Sequence, residues 1–567
     1  MSSFTSNNET ITNPDEIARV FASHFQDNFT VDQSVFDPND IVDNCHDHSG
    51  MSLFRSMCTD GAEVSEILSK LNISKSPGPD GISSRLLKLA SPAVANTLAR
   101  IFNISIESGT FPEDWKKANV VPIYKKGAKD DFRNYRPVSL CSTVGKIMER
   151  IVAKRLQLHL RMHGLVAEGQ HGFCQGRSCA TQLVTMYHDW SSILDQQPSP
   201  RIDAVFLDWS KAFDKVSHSL LLSKLHRYDI CGQMLKWFTS YLYGRIQRVQ
   251  YSGKFSDWIT VKSGVPQGSI SGPLLFNIHV LDLPSFVSSA IPQYADDTVL
   301  YRPIYSVQDE VSLQADLEAI RTWSNINKLP LNAAKCVVMH ITRSHRPIFV
   351  SYHMGDVPLE TVSTHKHLGV VLSANLEWGP HVDEVTSKAK RLLGFIRRTV
   401  GSNDPVTMRK LFVALIRPIL EYCAPVWAPN RESHRHKLEG VQRSFTRYCF
   451  PGPWRSRPSY STRLQSLDIP TTISRFDYLR TMFVVGCLWG KYDISWDDYI
   501  KVNTSHSRQA VNLDFRRFRS RTDAFHNSLF VSFPRMWSTL PDDVSSEIVF
   551  NLFSFSRKLR RCLYTFH

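Results

Sequence analysis

Long apolar runs are absent from this chain of 567 residues. No stretch reaches the roughly 18 consecutive apolar residues that a membrane-spanning helix needs, so neither a transmembrane helix nor a membrane partner is expected. The polar start, Met1 to Thr12, has no apolar core and does not read as a secretory signal. Cysteine is sparse: the 11 residues are scattered, an odd number, without Cys-x-x-Cys and without a Cys/His cluster at zinc spacing. That excludes a disulfide scaffold and a structural zinc site, and fits a reducing intracellular compartment. Internal repeats and low-complexity tracts are missing too.

What is present is apolar mass and positive charge. A hydrophobic content of 42% with 11% aromatics supports a large core, and the length suggests several domains. The formal net charge is +14. Such a balance suits polyanion partners, because neutralising phosphates drives nucleic-acid binding, although a solvated basic surface has the same composition. The charge is uneven. From His381 to Tyr460 there are 15 Lys and Arg against 6 Asp and Glu, with Trp378, Trp427 and Trp454 in or beside the segment. Basic residues interleaved with aromatics fit a surface that tracks a backbone and stacks bases. A helical segment packing its tryptophans inward would read the same way.

Three acids carry the chemistry. The run Ala204-Val205-Phe206-Leu207 reads as a buried strand tipped by Asp208, and Ile291 to Tyr301 reads as two strand halves bent at Asp296-Asp297. Carboxylates gathered at strand ends repel one another and are costly to desolvate, so a divalent cation is the natural compensation. Mg²⁺ favours one or two carboxylates plus substrate phosphates, the arrangement of two-metal nucleotidyl transfer. An Ala-Asp-Asp taken alone is usually a turn or a helix cap, because Asp accepts backbone hydrogen bonds there.

Other segments fall around these acids. Asn13-Pro14-Asp15-Glu16 predicts a helix start, residues 29–60 read as a linker, and Val64, Ile67, Leu68 and Leu71 mark a second helix ended by Ser76-Pro77-Gly78-Pro79-Asp80-Gly81. A hairpin from Asn119 to Pro137 would carry Lys125 and Arg136 inward, two cations suited to a triphosphate, unless both are merely surface charge. Lys146 to His159 reads as a helix with a basic face, and Gly172 to Arg177 as a loop. Phe213, five residues past Asp208, is either a ring beside an incoming sugar or an ordinary core residue. Ser263 to Ser269 forms a loop whose Gln267 could reach a base pair. Leu331 to Met339 and Lys366 to Leu372 read as short strands, and the chain from Asp383 on reads as mostly helical.

Asn134-Tyr135-Arg136-Pro137, Gly172-Phe173 with Arg177-Ser178, Phe206-Leu207-Asp208 with Lys211-Ala212-Phe213-Asp214, Gly264-Val265-Pro266-Gln267-Gly268, Tyr294-Ala295-Asp296-Asp297 and His367-Leu368-Gly369 occur in that order. In this order they resemble a reverse transcriptase, most closely those of non-LTR (LINE-type, jockey-like) retrotransposons. Phe111-Pro112 with Trp115-Lys116, and Ala424-Pro425-Val426-Trp427, are typical of the same group.

The resemblance implies an α+β right-hand polymerase with fingers, an antiparallel-sheet palm, a helical thumb and a helical C-terminal extension. It divides the chain into an N-terminal helical and linker region at 1–74, fingers and palm at 75–375 (core about 106–373), a thumb at 376–460 and a basic extension at 461–567. Asp208, Asp296 and Asp297 would be catalytic and hold two Mg²⁺ ions, with Mn²⁺ as the alternative. Lys125, Arg136, Arg177, Phe213 and Gln267 would bind the nucleotide, Lys335 would protonate pyrophosphate, and His367, Leu368 and Gly369 would grip the primer. The implied partners are an RNA template, a DNA primer or target, and dNTPs. Residence is intracellular, and nuclear for such elements, although no address is legible.

About 60 residues precede the polymerase-like region, too few for the endonuclease such elements usually encode, so a truncated element product is expected. Two further readings stay open. One is a non-catalytic RNA-binding remnant; the other is a group II intron-type maturase. The basic runs Arg516-Arg517-Phe518-Arg519 and Arg557-Lys558-Leu559-Arg560-Arg561 could contact RNA or be solvated helix faces.

Overall fold

The computed structural model describes residues 3–6, 9–30, 54–344, 349–453, 455–502, 515–549 and 551–564. Most of the expected linker, and Trp454, lie outside them. The chain forms two compact units, each discontinuous in sequence. One comprises Met1–Phe173, Asp208–Ser288 and Asp316–Asn332; the other comprises Cys174–Leu207, Ser289–Ala315 and Ala333–His567.

The first unit opens on the helix Pro14–Gln26. Pro14 sits in its first turn, and the Asn13 side chain accepts the Asp15 N–H at 3.0 Å. Ile17, Phe21 and Phe25 fall on one buried face. Phe21 packs edge-on against Phe132 at 4.7 Å, and Phe4 stacks on Phe132 at 4.7 Å, so aromatics close this core. The core covers a sheet in which strand Lys117–Tyr124 pairs antiparallel with Tyr135–Cys141 and parallel with Ile246–Tyr251. The Thr143–Met162 helix extends past the expected bounds at both ends, and the second predicted helix runs from Gly61 to Ser69.

The second unit is organised on a five-stranded sheet in the order Glu360–Thr361, Val337–Ile341, Arg201–Leu207, Asp297–Ile304, Gln293–Tyr294. The three central strands are antiparallel, and the Glu360–Thr361 edge strand runs parallel to its neighbour. Ile202 to Leu207 are all buried, which explains a strand without polar alternation. The expected strand from Leu331 forms only from Val337, after a 3₁₀ turn at Ala333–Lys335, and Lys366 to Leu372 spans a hairpin rather than one strand. Helices follow from Gly379, among them Gly379–Val400, Glu432–Cys449 and Thr472–Leu488. Arg516 to Arg519 have no helical structure, whereas Arg557 to Arg561 lie in the helix Leu552–Leu563.

One buried charge sits on the central strand. Asp203 is 0% exposed and takes two hydrogen bonds from Arg201 at 2.7 and 2.8 Å, one from His340 Nδ1 at 2.7 Å and one from the Tyr352 hydroxyl at 2.7 Å. Burial alone would raise its pKa, but the bonds from His340 and Arg201, with the Tyr352 bond and the His340 charge, hold it below the ordinary carboxylate value. A carboxylate depressed in the folded state adds stability that is present above about pH 4 and is lost as pH falls further. Asp203→Asn keeps the shape but loses the charge-assisted bonds, a cost of about 2 kcal/mol at pH 7. Thermal midpoints of the two proteins should therefore differ at pH 7 and converge toward pH 3.

Candidate active site

The tip bearing the acid pair is a tight hairpin. Tyr294 lies opposite Asp297 in the antiparallel register, which leaves Ala295 and Asp296 as its two-residue loop. Ala295 takes a φ of +55°, as mirror-image hairpin turns require of their first loop residue. An alanine there costs about 1 kcal/mol relative to glycine, and it is buried while Asp296 and Asp297 are exposed. The next strand is in register so that Leu207 lies opposite Thr298. In chain order Asp208 follows Leu207, just as Asp297 precedes Thr298.

In the first unit, the Asp208 carbonyl accepts the Asn332 N–H at 2.7 Å and Ser210 donates to the Pro330 carbonyl at 2.9 Å. The expected continuation of the strand is limited to a bridge from Trp209 to Leu331. Lys211 then adopts a φ of +51° and the chain turns into the short helix Ala212–Lys215. Phe213 is half-buried there, stacked on Phe276 at 4.7 Å and 17°. Burial pushes the Asp214 carboxyl up to about 6 against the pull of Lys211 and Lys215.

The Pro266-Gln267-Gly268 loop is fastened on two sides within the first unit. Gly264 N–H donates to the Val216 carbonyl and Val265 N–H to the Phe213 carbonyl, each at 2.8 Å. On the other side the Ser139 N–H donates to the Gln267 carbonyl at 2.8 Å. Ser139 belongs to the strand that carries Arg136, and there Arg136 lies opposite Ile123. Lys125 comes two residues after Ile123 and its N–H donates to the Asn134 carbonyl at 2.8 Å, so Lys125 and Arg136 share one face of the hairpin. Phe213, Gln267 and this hairpin are thus linked through backbone hydrogen bonds.

Sequence reasoning missed the residue that anchors this loop from below. Glu149 is 1% exposed and accepts the Ile270 and Ser271 N–H groups at 2.8 and 2.9 Å, with the Tyr241 hydroxyl at 3.3 Å. It satisfies backbone donors leading into the helix Gly272–His279. Its signal was a lone acid among Ile147, Met148, Ile151 and Val152 on the buried face of a helix otherwise read for its basic side.

Five more of the expected residues sit in the second unit. Arg177 pairs with Asp493 at 2.9 Å and is 11% exposed. Lys335 is exposed at the end of the 3₁₀ turn preceding the Val337–Ile341 strand. His367, Leu368 and Gly369 occupy a hairpin tip, His367 opposite Val370, with φ of +46° at Leu368 and +83° at Gly369. The Tyr422 hydroxyl donates to the Leu368 carbonyl at 3.0 Å, a partner not singled out from sequence. Burial lowers the His367 pKa to about 3, with His365 adding to the effect, so the ring is neutral beside Phe206.

Among the described residues no three or more His, Cys, Asp or Glu side chains form a closed metal cage. The donor chemistry fits a different kind of site. Asp296 and Asp297 offer hard carboxylate oxygens at an exposed tip, as a Mg²⁺ that keeps water and substrate phosphates among its ligands requires.

A reverse transcriptase (RNA-dependent DNA polymerase) family model matches residues 123–392. The chain is 28% identical over 447 residues to a probable RNA-directed DNA polymerase from transposon BS of Drosophila melanogaster, covering 76% of this chain and 49% of that protein. It is 27% identical over 416 residues to the RNA-directed DNA polymerase from mobile element jockey of the same organism, covering 70% and 44%. A probable polymerase from its transposon X-element is 25% identical over 405 residues, covering 69% and 44%. The chain spans about half the length of the curated relatives it matches. Residues 123–392 therefore match the reverse transcriptase family, within a chain that is similar to RNA-directed DNA polymerases of mobile elements.

Proposed function

We propose that the chain is an RNA-directed DNA polymerase of a mobile element, synthesising cDNA on an RNA template from a DNA primer and dNTPs. The observation that carries this reading is the hairpin that turns Asp296 outward beside Asp297, one register step from the strand leading into Asp208. The right-hand arrangement belongs to the proposal: fingers and palm within 75–375, thumb at 376–460, and residues 461–567 as an extension. So does an intracellular site of action with access to nuclear DNA.

Asp208 and Asp296 would be the principal ligands of two Mg²⁺ ions, with Asp297 contributing less. Bound there, the ions would supply Lewis acidity toward the primer 3′-hydroxyl and the departing pyrophosphate. The remaining work falls to side chains. Lys125 and Arg136 would hold the triphosphate, Arg136 through its planar fork. Phe213, braced by Phe276, would limit space at the sugar and favour deoxynucleotides. Gln267 would sit beside the nascent pair on a loop fixed by Ser139 and Glu149. Lys335 would deliver a proton to pyrophosphate, and the tip at His367 to Gly369 would steady the primer. Arg177 would bind nucleotide only on release from Asp493.

Primer extension on an RNA template with Mg²⁺ is the test. The reading requires dNTP incorporation. Salt-sensitive RNA binding with no incorporation under Mg²⁺ or Mn²⁺ would make the chain an RNA-binding remnant, and stimulated splicing of an intron RNA would make it a maturase.

A further inference from the structure

We propose that a cavity in the second unit is a binding site for a phosphate-bearing nucleotide unit, an inference that rests on the reading of the chain as a nucleic-acid enzyme. Its volume is about 330 Å³, and Arg343, Arg431, Arg521, Asn430, Tyr187 and Trp378 are among its lining. That is within the range of small-molecule sites, roughly 300 to 1,000 Å³. Three guanidinium groups face two lining carboxylates, Glu377 and Asp523. Arg431 is ion-paired to Glu377. Arg343 and Arg521 are exposed, and among the described residues their side chains have no hydrogen-bond or ion-pair partner. Three guanidinium groups against two carboxylates leave the lining net positive, and the exposed forks of Arg343 and Arg521 suit an oxyanion such as phosphate, which matches their planar donors.

The cavity is also held in shape. The Asp195 carboxylate accepts the N–H groups of Arg521 and Thr522 at 2.8 and 2.7 Å and the Thr522 hydroxyl at 2.8 Å, which fixes the segment bearing Arg521. Beyond Ile341, the Thr342 N–H donates to the Ala374 carbonyl at 3.2 Å, which positions the stem of Arg343. Tyr187 and Trp378 pack ring against ring at 4.8 Å, and the Tyr187 hydroxyl donates to the Leu376 carbonyl at 3.2 Å, giving one firm apolar wall. Asn430 contributes a side-chain amide, able to donate to and accept from the edge of a base. Cations for a phosphate, an apolar wall and one amide together match a single nucleotide better than a peptide or a bare inorganic ion. A free nucleotide and a nucleotide within single-stranded RNA share this chemistry.

The test uses the full chain and the variant Arg343→Ala/Arg521→Ala, whose exposed side chains carry no bonds needed for folding. Asn430→Leu fills the same cavity without changing charge. Binding of a uridine 12-mer and of UMP is measured across a salt series, with extension of oligo(dT) on poly(rA) as a separate readout. Weaker 12-mer binding by about tenfold, with a slope of log affinity against log salt reduced by about 1.4 for two lost phosphate contacts, supports the strand as source. Loss of UMP binding as well supports the free nucleotide. In either case Asn430→Leu weakens the same probe without changing the slope. Unchanged affinity and slope for both probes in the double variant overturns the proposal. Absence of extension in the unaltered chain would count against polymerase function alone, because the binding measurement needs no turnover.

Discussion

Asp208→Asn and Asp296→Asn should each lower primer extension by at least about 10³-fold, a loss of about 4 kcal/mol in transition-state stabilisation. Replacing one carboxylate oxygen by an amide removes the negative charge that draws a divalent ion while leaving size and shape unchanged. Structural damage should be slight. Asp296 is the exposed second residue of a two-residue loop, so its substitution falls among surface changes worth within about 0.5 kcal/mol, or about 2 °C in thermal midpoint. Asp297→Asn should cost less activity than either. RNA binding at low salt should survive in all three, because the +14 net charge barely changes. Loss of binding together with activity would instead indicate a folding defect.

Gly268→Ala should destabilise the first unit by about 4 kcal/mol and abolish extension. An added Cβ would meet the Ser139 carbonyl oxygen at 2.4 Å, with the Ser139 carbonyl carbon and nitrogen also close, and this backbone cannot rotate aside. Its φ of +133° adds a cost of about 1 to 3 kcal/mol, and overpacking a comparable amount. Relief requires the loop to leave the Tyr135–Cys141 strand, which breaks the hydrogen bond from Ser139 to Gln267. Gly253→Ala is the control. Its φ of +81° is also positive, yet nothing lies within 4 Å of the added Cβ, so only about 1 kcal/mol and little activity should be lost.

These two sites show where the sequence was legible. The Ala204–Leu207 part of the Arg201–Leu207 strand could be read because burial on both faces writes an unbroken apolar run, and the tip at Asp296 because an acid pair lies between two strand-like stretches. Pro-Gln-Gly was legible as a turn, but not its fastening to Ser139, since that hydrogen bond joins backbones over 100 residues apart. Glu149 and Tyr422 were hidden for a related reason: each serves a backbone group far away in sequence, so nothing nearby marks them. Arg177 was assigned to the nucleotide by resemblance, and only the fold reveals Asp493 beside it. The strand predicted from Leu331 begins late because Ala333–Lys335 closes a 3₁₀ turn, which local apolar content does not exclude. The Arg516–Arg519 run lacks helical structure although its charge pattern suits a helix face. Asp203 was invisible among apolar neighbours, because its partners Arg201, His340 and Tyr352 meet it only in the folded sheet.

The proposed site requires Asp208 and the Asp296-Asp297 tip to hold the same pair of ions. Fe²⁺ substituted for Mg²⁺, with ascorbate and peroxide, cuts the backbone beside the metal. Cleavage is expected around residue 208 and around residues 295–297 in the same molecules, suppressed by excess Mg²⁺ and lost at both places in either Asp208→Asn or Asp296→Asn. Cleavage at only one of the two segments, or at both irrespective of those substitutions, would contradict a shared pair of ions.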